Sequence, residues 1–281
     1  MTLDDVEQVL GKAIGLALDE DLGITGDITT QGVFPAKKDV VASIITRDAG
    51  VIAGMFVAAA TFKLVDDNTG FVALCEDGVD VEGGQTIAQV KGDVSAVLSA
   101  ERVALNFLSH MSGIATMTRR FVDKAAPYGV TIKDTRKTLP GLRIFEKYAV
   151  EAGGGIHHRF GLYDAVLIKD NHIKAAGGMT EAVTRVRGNL QGDLPIEIEA
   201  STIDEVKEAL RAGVDTIMLD NMDVEMIRKA VKMIDGSALV EVSGNIVLDN
   251  VEEIAKTGVN YISVGALTHS SKALSLSLLI E

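Results

Sequence analysis

The sequence predicts an α/β protein whose second half forms a parallel β/α barrel. From residue 130 onward, short apolar runs alternate with helical segments, and the later units repeat every ~20 residues. Buried strands that alternate with helices are typical of a parallel sheet. The order shows no reversal of the kind that an open doubly wound sheet requires, so a barrel is favoured. The predicted strands are residues 130–133, 165–169, 196–199, 216–219, 239–242 and 261–264.

The helices of this half are predicted from apolar spacing and from residue types that start and stop helices. Thr202 and either Asp249 or Asn250 are N-capping residues, and Gly213 and Gly258 stand where two helices are expected to end. The predicted helices are residues 143–151, 180–187, 203–212, 224–234 and 250–257.

The first half is predicted to combine helices with a compact group of short strands. An apolar stripe at helical spacing predicts helices at residues 6–18 and 55–65 and a long one at residues 95–125, with a break allowed near Ser112 and Gly113. Residues 20–30 are rich in Gly, Asp and Thr, which is typical of a loop. The predicted strands are residues 39–46, 71–74, 79–81 and 86–90.

Composition narrows the class of function. The net charge of −13 and the aromatic content of 4% argue against nucleic-acid binding. Cys75 is the only cysteine, which excludes an intrachain disulfide and a multi-cysteine metal site. The acidic N-terminal helix does not resemble a signal peptide, and no apolar run approaches the ~20 residues of a membrane span. We therefore expect a cytoplasmic protein that does not bind membranes.

One segment gathers positive charge in this acidic chain. Residues 133–174 contain eight Lys and Arg against five acidic residues, a balance of +3, together with three of the five His. Gly153, Gly154 and Gly155 interrupt these charges. A solvated charged face is the simpler interpretation of a basic run, but cations around a glycine-rich segment favour a site for an anion.

Polar residues follow every predicted strand of the second half. The carboxyl ends of barrel strands meet on one face, where active sites form. Six strands that all end in polar or charged residues are hard to explain by core packing. The ends carry Lys133 to Lys137 with Thr135 among them, Lys169 to His172, Glu197 and Glu199, Asp220 and Asn221, Glu241 with Ser243 to Asn245, and Gly265 with Ala266.

The last two strand ends are candidates for binding phosphate. Small residues at a strand-to-helix turn let backbone N–H groups approach an anion, as Ser243-Gly244-Asn245 and Val264-Gly265-Ala266 can do. Each turn alone is weak evidence. Two on successive late strands form a moderate signal, because barrel enzymes often bind phosphate there.

Two carboxylates on neighbouring strands are candidates for a metal site. Glu199 and Asp220 can hold Mg²⁺ together with substrate oxygens, since Mg²⁺ usually takes one or two protein carboxylates plus phosphates and waters. Salt bridges to the nearby cations explain the same residues equally well. The histidines lack the compact spacing with cysteine that zinc sites show, so zinc is not expected.

The cations of residues 133–174 have several possible roles. Lys169 can form a Schiff base or belong to an anion clamp with Lys137 and Arg159. The pairs Arg136-Lys137 and His158-Arg159 suit a ligand with two carboxylates, because Arg recognises carboxylates through two parallel hydrogen bonds. The residues alone thus predict a barrel enzyme for an anionic, phosphorylated substrate with a divalent metal.

The same residues resemble the quinolinate phosphoribosyltransferase family. The similar segments are ERVALNFLSHMSGIAT (101–116), DTRKTLPGLRIFEKYAV (134–150), GGGIHHRFGLYDAVLIKDNHI (153–173), IMLDN (217–221), EVSGNI (241–246) and YISVGALTHS (261–270). The resemblance covers nearly all of the chain from residue 100 onward and is looser before it. It implies transfer of phosphoribose from phosphoribosyl pyrophosphate (PRPP) to quinolinate, with loss of CO₂, in a Mg²⁺-dependent homodimer or hexamer.

The resemblance also implies an architecture. It pairs an N-terminal α/β sandwich, here residues 1–112, with an incomplete α/β barrel at residues 113–269. A C-terminal tail at residues 270–281 is expected to pack back on the sandwich. The barrel mouth is expected to face the sandwich of the partner subunit.

By motif position the resemblance assigns roles to individual residues. The quinolinate carboxylates would be bound by Arg102, Arg136, His158, Arg159 and Lys169, with Arg102 reaching across the dimer. On spacing alone, Arg102 reads as an exposed charge, so this role comes only from the family. Lys137 and Lys169 would meet the PRPP phosphates, and Glu199 and Asp220 would hold the metal and ribose hydroxyls. The 5′-phosphate would be held by Ser243, Gly244, Asn245, Val264, Gly265 and Ala266, with His269.

Departures from the family pattern are few. His157 stands where the family often has Asn. In the phosphate turn, the SGN of this chain has Asn245 where the family usually has a second glycine, and TLPG replaces TTPG. None removes a charge that the reaction needs, but His157 can alter the pH response of the carboxylate pocket. The KDNH run distinguishes this family from molybdenum-associated relatives of similar fold.

Three other functions fit parts of the sequence. A nicotinate phosphoribosyltransferase would need fewer cations than Arg136, His158 and Arg159 provide. A Schiff-base aldolase would use Lys169 and would be trapped by borohydride with a sugar phosphate. A phosphometabolite sensor would bind PRPP without releasing pyrophosphate, and it would have no need for the carboxylate pair.

Overall fold

The computed structural model describes residues 3–190, 192 and 194–281, which divide into two compact units. The first unit holds the chain up to Arg119 with residues 138–154 and 270–281, and the second holds residues 120–137 and 155–269. The predicted domain boundary at residue 112 stays a prediction. The first compact unit also includes residues 113–119 and 138–154, which lie beyond that boundary.

Helices and strands alternate along most of the described chain. The elements up to residue 128 are α1 (Leu3–Leu22), α2 (Ile28–Val33), β1 (Asp39–Thr46), β2 (Gly50–Val51), α3 (Met55–Val65), β3 (Gly70–Ala73), β4 (Asp80–Val81), β5 (Thr86–Asp93), α4 (Val94–Ala125) and a 3₁₀ turn (Ala126–Tyr128). They are followed by β6 (Thr131–Lys133), α5 (Arg143–Ala152), β7 (Val166–Ile168), α6 (Asp170–Ala176), α7 (Met179–Asn189), β8 (Ile196–Ala200), α8 (Ile203–Ala212), β9 (Thr216–Asp220), α9 (Val224–Ile234), β10 (Leu239–Ser243), α10 (Val251–Ala255), β11 (Tyr261–Ser263), α11 (Ala266–His269) and β12 (Leu276–Ile280).

The first unit is built around an antiparallel sheet with the strand order β12, β1, β5, β3. Strand β12 comes from the C-terminal tail and pairs with β1, with Ala42 opposite Ile280. The core beside this sheet includes the buried side chains of Ile44, Phe62 and Leu108 from β1, α3 and α4. The C-terminal tail thus completes the sheet of the first unit.

Helix α4 is continuous through the glycine at which a break was allowed. A Cβ atom at Gly113 would lie 2.3 Å from the backbone oxygen of Lys272. The backbone N–H of Leu274 also donates to the Ser109 oxygen at 2.9 Å. Gly113 therefore permits close approach of the C-terminal tail and does not end the helix.

The second unit contains a six-stranded parallel sheet in the order β6, β11, β10, β9, β8, β7. Strands β7 to β11 are neighbours in chain order, and the first strand β6 lies beside the last strand β11, as in a barrel. Among the described residues β6 and β7 do not pair, and only the single bridge between Lys133 and Ile156 extends the sheet beyond β6. The predicted incomplete α/β barrel is confirmed.

Most predicted elements are confirmed to within two residues, and the exceptions have local causes. Residues 28–30 were predicted to be a loop but begin α2, because Asp27 caps it by accepting the Thr30 N–H at 2.9 Å. Short helices α6 and α11 lie in segments that were considered only as strand ends. No described helix is long and apolar enough to span a membrane.

Candidate active site

A cavity of about 550 Å³ opens at the carboxyl ends of the barrel strands in the second unit. These ends lie on one face of the sheet, so side chains that are distant in sequence meet there. The position of the cavity agrees with the expectation drawn from the strand ends. Of the residues predicted to form the site, its lining contains Thr135, Arg136, Lys137, His158, Arg159, Lys169, Glu199, Asp220, Ser243, Gly244 and Asn245.

The loop after β6 carries Lys137 and is fixed by backbone hydrogen bonds on both sides of it. The Lys137 N–H donates to Thr135 Oγ1 at 3.0 Å, and Thr268 Oγ1 donates to the Lys137 oxygen at 2.8 Å. Two residues later, the Leu139 N–H donates to Glu146 Oε2 at 3.1 Å. The backbone of Lys137 is held in place, while its side chain lines the cavity.

Lys169 and Glu199 form an ion pair across two neighbouring strands. Lys169 Nζ contacts Glu199 Oε1, and the Asp170 N–H donates to Glu199 Oε2 at 3.2 Å. Lys169 also begins α6, with its N–H donating to His172 Nδ1 at 2.9 Å. A Schiff base requires the lysine nitrogen to attack a carbonyl, and here that nitrogen is engaged with Glu199, which does not favour the Schiff-base alternative.

Asp220 lies at the end of β9 in a crowded acidic environment. Burial raises the pKa of its carboxyl, and the nearby charge of Glu199 raises that pKa further. A hydrogen bond from Asn221 Nδ2 at 2.8 Å acts in the opposite direction. The charged form of Asp220 is thus disfavoured by its surroundings, although Lys169 and Lys137 partly offset this.

Two arginines line the cavity, and their charges interact. Burial lowers the pKa of Arg159, and the charge of Arg136 lowers that pKa further. The Arg159 N–H donates to Nδ1 of the preceding His158 at 2.7 Å, which fixes the backbone at this point. Like charges that are held together attract an anion between them, so this pair suits a carboxylate ligand.

The other ring nitrogen of His158 points toward two acidic side chains of the barrel interior. His158 Nε2 lies 3.1 Å from Glu197 Oε2 and 3.5 Å from Glu241 Oε1. Glu241 is fully buried, and it also accepts hydrogen bonds from Lys133 Nζ at 2.7 Å and from Ser263 Oγ at 2.5 Å. Burial and the charge of Glu197 raise the pKa of Glu241.

His158, Glu197 and Glu241 are close enough together to serve as metal ligands. Lys133 already supplies a positive charge to Glu241, and its Nζ lies 3.7 Å from the centre of the Tyr261 ring. One of the two Glu241 oxygens is therefore already engaged with an ammonium group. We interpret the group as an ion cluster that supports His158.

The predicted phosphate turns are arranged differently from each other. Gly244 has φ +95°, and a Cβ there would lie 2.2 Å from Asn221 Oδ1, so only glycine fits. The turn after β11, predicted to contribute Val264, Gly265, Ala266 and His269, is absent from the cavity lining. It is nevertheless close, since a Cβ at Gly265 would lie 3.0 Å from Lys137 Cδ and 3.2 Å from His269 Nε2.

Arg102 is outside the set of cavity-lining residues. It belongs to α4 in the first unit, its side chain is 62% exposed, and its Nη2 lies 3.8 Å from Glu101 Oε1. An exposed ion pair of this kind contributes little to stability. Its expected role in the site of a partner subunit stays a prediction.

Several lining residues were not singled out as site residues from the sequence. Leu167, Met218 and Ser263 are inward-facing strand residues that look like ordinary core positions. Asn221 was placed at a strand end beside Asp220 and was given no role. An Asn that follows a buried strand is nevertheless a recognisable candidate for a left-handed turn. Its φ is +55°.

Two family models match the chain. The N-terminal domain of quinolinate phosphoribosyl transferase matches residues 27–112, and the C-terminal domain of the same enzyme matches residues 114–279. Together the matches cover nearly all of the sequence.

Relatives in bacteria and plants carry matching names. A probable nicotinate-nucleotide pyrophosphorylase (carboxylating) of Bacillus subtilis is 44% identical over 259 residues, which is 92% of this chain and 89% of that protein. The chloroplastic nicotinate-nucleotide pyrophosphorylase (carboxylating) of Arabidopsis thaliana is 43% identical over 290 residues, which is 97% of this chain and 83% of that protein.

A solved structure shares the fold along the whole chain. The nicotinate-nucleotide pyrophosphorylase from Francisella tularensis superposes with a TM-score of 0.93 at 41% identity, covering 98% of this chain and 96% of that chain. The two-part architecture is therefore the same in both proteins.

Proposed function

The chain belongs to the quinolinate phosphoribosyltransferase family, and we propose that it transfers the phosphoribosyl group of PRPP to quinolinate in NAD biosynthesis. The products are nicotinate mononucleotide, pyrophosphate and CO₂. One observation carries this assignment: a single cavity is lined by two guanidinium groups whose charges interact and by two carboxylates with two lysines. The guanidinium pair suits a dicarboxylate, and the carboxylates with the lysines suit a sugar pyrophosphate with a metal.

The quinolinate site is formed by Arg136, His158, Arg159 and Lys169. Arg136 and Arg159 are close enough for the charge of one to lower the pKa of the other. A ligand with two adjacent carboxylates neutralises both guanidinium groups and can accept paired hydrogen bonds from each. Arg102 completes this site from the partner subunit of a homodimer, for which its 62% exposed side chain is suitable.

The PRPP site is formed by the remaining strand ends. Lys137 and Lys169 bind the pyrophosphate, and Glu199 and Asp220 face the ribose hydroxyls. The 5′-phosphate is held by backbone N–H groups at the turns after β10 and β11. Gly244 and Gly265 support this role because both turns bring backbone close to polar side chains, including Lys137 and His269.

The residues present are suitable for holding Mg²⁺. Glu199 and Asp220 offer hard oxygen ligands on neighbouring strands and line one cavity. The pKa of Asp220 is raised by burial and by Glu199, and this unfavourable charge is what a divalent cation relieves. When bound, Mg²⁺ supplies positive charge to the pyrophosphate and to the ribose oxygens.

The chain's own side chains then account for orientation and charge. The guanidinium pair holds the quinolinate carboxylates so that the ring nitrogen faces the anomeric carbon, and such orientation supplies several kcal/mol of barrier reduction. The nitrogen–carbon bond forms as the bond to the pyrophosphate oxygen breaks. Lys137 and Lys169 stabilise the negative charge that develops on the leaving group.

Loss of CO₂ follows from the charged ring that this step creates. The bond between the ring and its 2-carboxylate breaks, and the electron pair stays on the ring carbon beside the positive nitrogen. That carbon then takes a proton, which gives nicotinate mononucleotide. No enzyme nucleophile is required at any step.

A product assay tests the reaction directly. Purified protein is incubated with PRPP, Mg²⁺ and quinolinate labelled with ¹⁴C in the 2-carboxylate, and trapped CO₂ is compared with nicotinate mononucleotide. We expect equal amounts of both products, formed only with Mg²⁺. Nucleotide formed from nicotinate but not from quinolinate would instead identify a nicotinate enzyme, and PRPP binding without either product would identify a sensor.

Two single variants test the roles within the site. Lys137→Ala is expected to lower kcat/KM by about 10²–10³-fold, because a charge that stabilises the leaving group is lost. His157→Ala is the control, since His157 Nδ1 contacts the buried Asp134 Oδ2 at 2.9 Å and does not line the cavity. Steady-state kinetics with equal losses in the two variants would contradict these roles.

A further inference from the structure

Two of the three non-glycine residues with positive φ in the described chain lie side by side at the mouth of the barrel. Asn221 follows β9 with φ +55°, and Asn245 follows β10 with φ +53°. The third, Asp235, caps the end of α9 with φ +42°. Left-handed backbone is rare for residues other than glycine, and Asn tolerates it best. Strained positions of this kind concentrate at functional sites.

The side chains of these two residues form a chain of hydrogen bonds that ends on Asp220. Asn245 Nδ2 donates to Asn221 Oδ1 at 3.0 Å, and Asn221 Nδ2 donates to Asp220 Oδ2 at 2.8 Å. An amide offers one acceptor and one donor group, and Asn221 uses one of each here. Its orientation is thereby fixed, because the reversed amide would place like groups against each other at both ends.

The backbone around this chain of hydrogen bonds is fixed as well. The Asn221 N–H donates to the Ser243 oxygen at 2.9 Å, which joins the ends of β9 and β10. Asn250 Nδ2 donates to the Asn245 oxygen at 3.0 Å. Gly244 lies directly against the Asn221 side chain, where a Cβ atom would be 2.2 Å from Oδ1. The left-handed turns and the glycine therefore serve to place one amide beside one carboxylate.

We propose that Asn221 and Asn245 are positioning residues that orient the Asp220 carboxylate for the metal-bound PRPP. This inference rests on the proposed function. The Asn221 amide donates to one oxygen of Asp220 and is itself held by the Asn245 amide. Groups behind a metal-binding side chain orient it, and their removal typically weakens metal affinity or activity by about 10–100-fold. The Asn245 side chain acts through Asn221, while its backbone N–H stays available for phosphate.

Substitution by glycine separates this role from a structural one. Glycine adopts positive φ at no steric cost, so Asn221→Gly and Asn245→Gly remove only the side-chain hydrogen bonds. We expect kcat/KM for PRPP to fall about tenfold in Asn221→Gly and about threefold in Asn245→Gly. We expect the KM for quinolinate to stay within about twofold of the wild-type value and Tm to stay within about 3 °C of it, because the relief of positive φ offsets the added unfolded-state entropy of glycine and the lost hydrogen bonds.

Two further variants complete the test. Asp235→Gly relieves the same kind of backbone at a position outside the site, and it is expected to leave kinetics unchanged. The double variant Asn221→Gly/Asn245→Gly is expected to be no worse than Asn221→Gly alone, because the two amides act in series. Calorimetric titration of PRPP in the presence of Mg²⁺, without quinolinate, is expected to give about a tenfold weaker Kd for Asn221→Gly.

The outcomes distinguish the failure of this inference from the failure of the proposed function. Wild-type kinetics and PRPP affinity in both asparagine variants would overturn the positioning role while leaving the reaction intact. Activity lost together with a lower Tm, or additive losses in the double variant, would also overturn it, since a structural role predicts both. A wild-type protein that yields no nicotinate mononucleotide would overturn the proposed function and this inference together.

Discussion

The barrel contains two pairs of acidic side chains that differ in the groups they face. Glu199 and Asp220 line the cavity at the mouth. Glu197 and Glu241, the interior pair, lie three residues before the end of β8 and two residues before the end of β10, and they flank His158. The mouth pair faces a space that a ligand can enter, whereas the interior pair faces cations and hydroxyls of the protein itself.

The difference shows how position along a strand divides the work of identical residue types. Glu197 and Glu199 lie two apart on β8 and point to the same side, as strand geometry requires. Glu199 meets Lys169 and the cavity, while Glu197 meets His158. The interior acids therefore act on the site through His158 and through the charge of Glu197 on Arg159, and the mouth acids can act on a ligand directly.

The largest expected effect is on stability and comes from the interior pair. Glu241→Ala removes the partner of Lys133 and Ser263, leaving a largely buried ammonium ion without its counter-charge. Breaking a buried ion pair from one side costs about 3–5 kcal/mol, so we expect the free energy of unfolding to fall by that amount. Urea unfolding measures it. Glu241→Gln, which can still accept from Ser263, is the matched control with a smaller loss. A loss below ~1 kcal/mol for the alanine variant would show that the interior cluster is not structural.

The next effect is on activity and comes from the mouth pair. Asp220→Asn is expected to lower kcat/KM by about 10²-fold, equal to about 2.7 kcal/mol, because the oxygen that we propose binds the metal and the ribose loses its charge. The stability should not fall, since burial and Glu199 raise the pKa of Asp220 and thus disfavour the charge that the amide removes. Asp223→Asn, at the N-cap of α9, is a control that keeps its capping bond and its activity.

This variant contrasts directly with Glu241→Ala. Kinetics and thermal unfolding are measured on the same samples. Asp220→Asn should lose activity and keep its stability, whereas Glu241→Ala should lose stability. If Asp220→Asn lowers Tm as much as it lowers activity, the division between the two pairs is wrong.

Much of the fold follows from the sequence because its signals are local. Strand β1, helix α3 and helices α8 and α9 have the predicted bounds, since β-branched runs, apolar stripes and capping residues act within a few positions. Helix α2 and strand β12 were not predicted. Helix α2 depends on capping by the Asp27 side chain. Strand β12 depends on pairing with β1, which lies more than 200 residues away in sequence.

The sequence predicts which residues belong to the candidate site, but not which partners each carboxylate contacts. Strand ends give the list of residues at the mouth, and eleven of the predicted residues line one cavity. Period-two alternation cannot separate Glu197 from Glu199, because both point inward. The hydrogen bonds of Asn221 and Asn245 also lie outside what a sequence shows, because they depend on two left-handed turns that meet only in the folded barrel.

The smallest expected effect concerns pH and sharpens the description of the interior pair. Burial and Glu197 raise the pKa of Glu241 above its ordinary 4.5, so this carboxyl binds its proton more tightly in the folded protein than in the unfolded chain. A raised pKa contributes stability that is fully present below the unfolded pKa and is lost as the pH rises through the folded value. Glu241→Gln lacks this titration. The stability of the wild type relative to Glu241→Gln should therefore decline as the pH rises above about 4.5, measured by urea unfolding at each pH. A wild type that gains on the variant with rising pH would mean that Lys133, and not burial, dominates the charge state of Glu241.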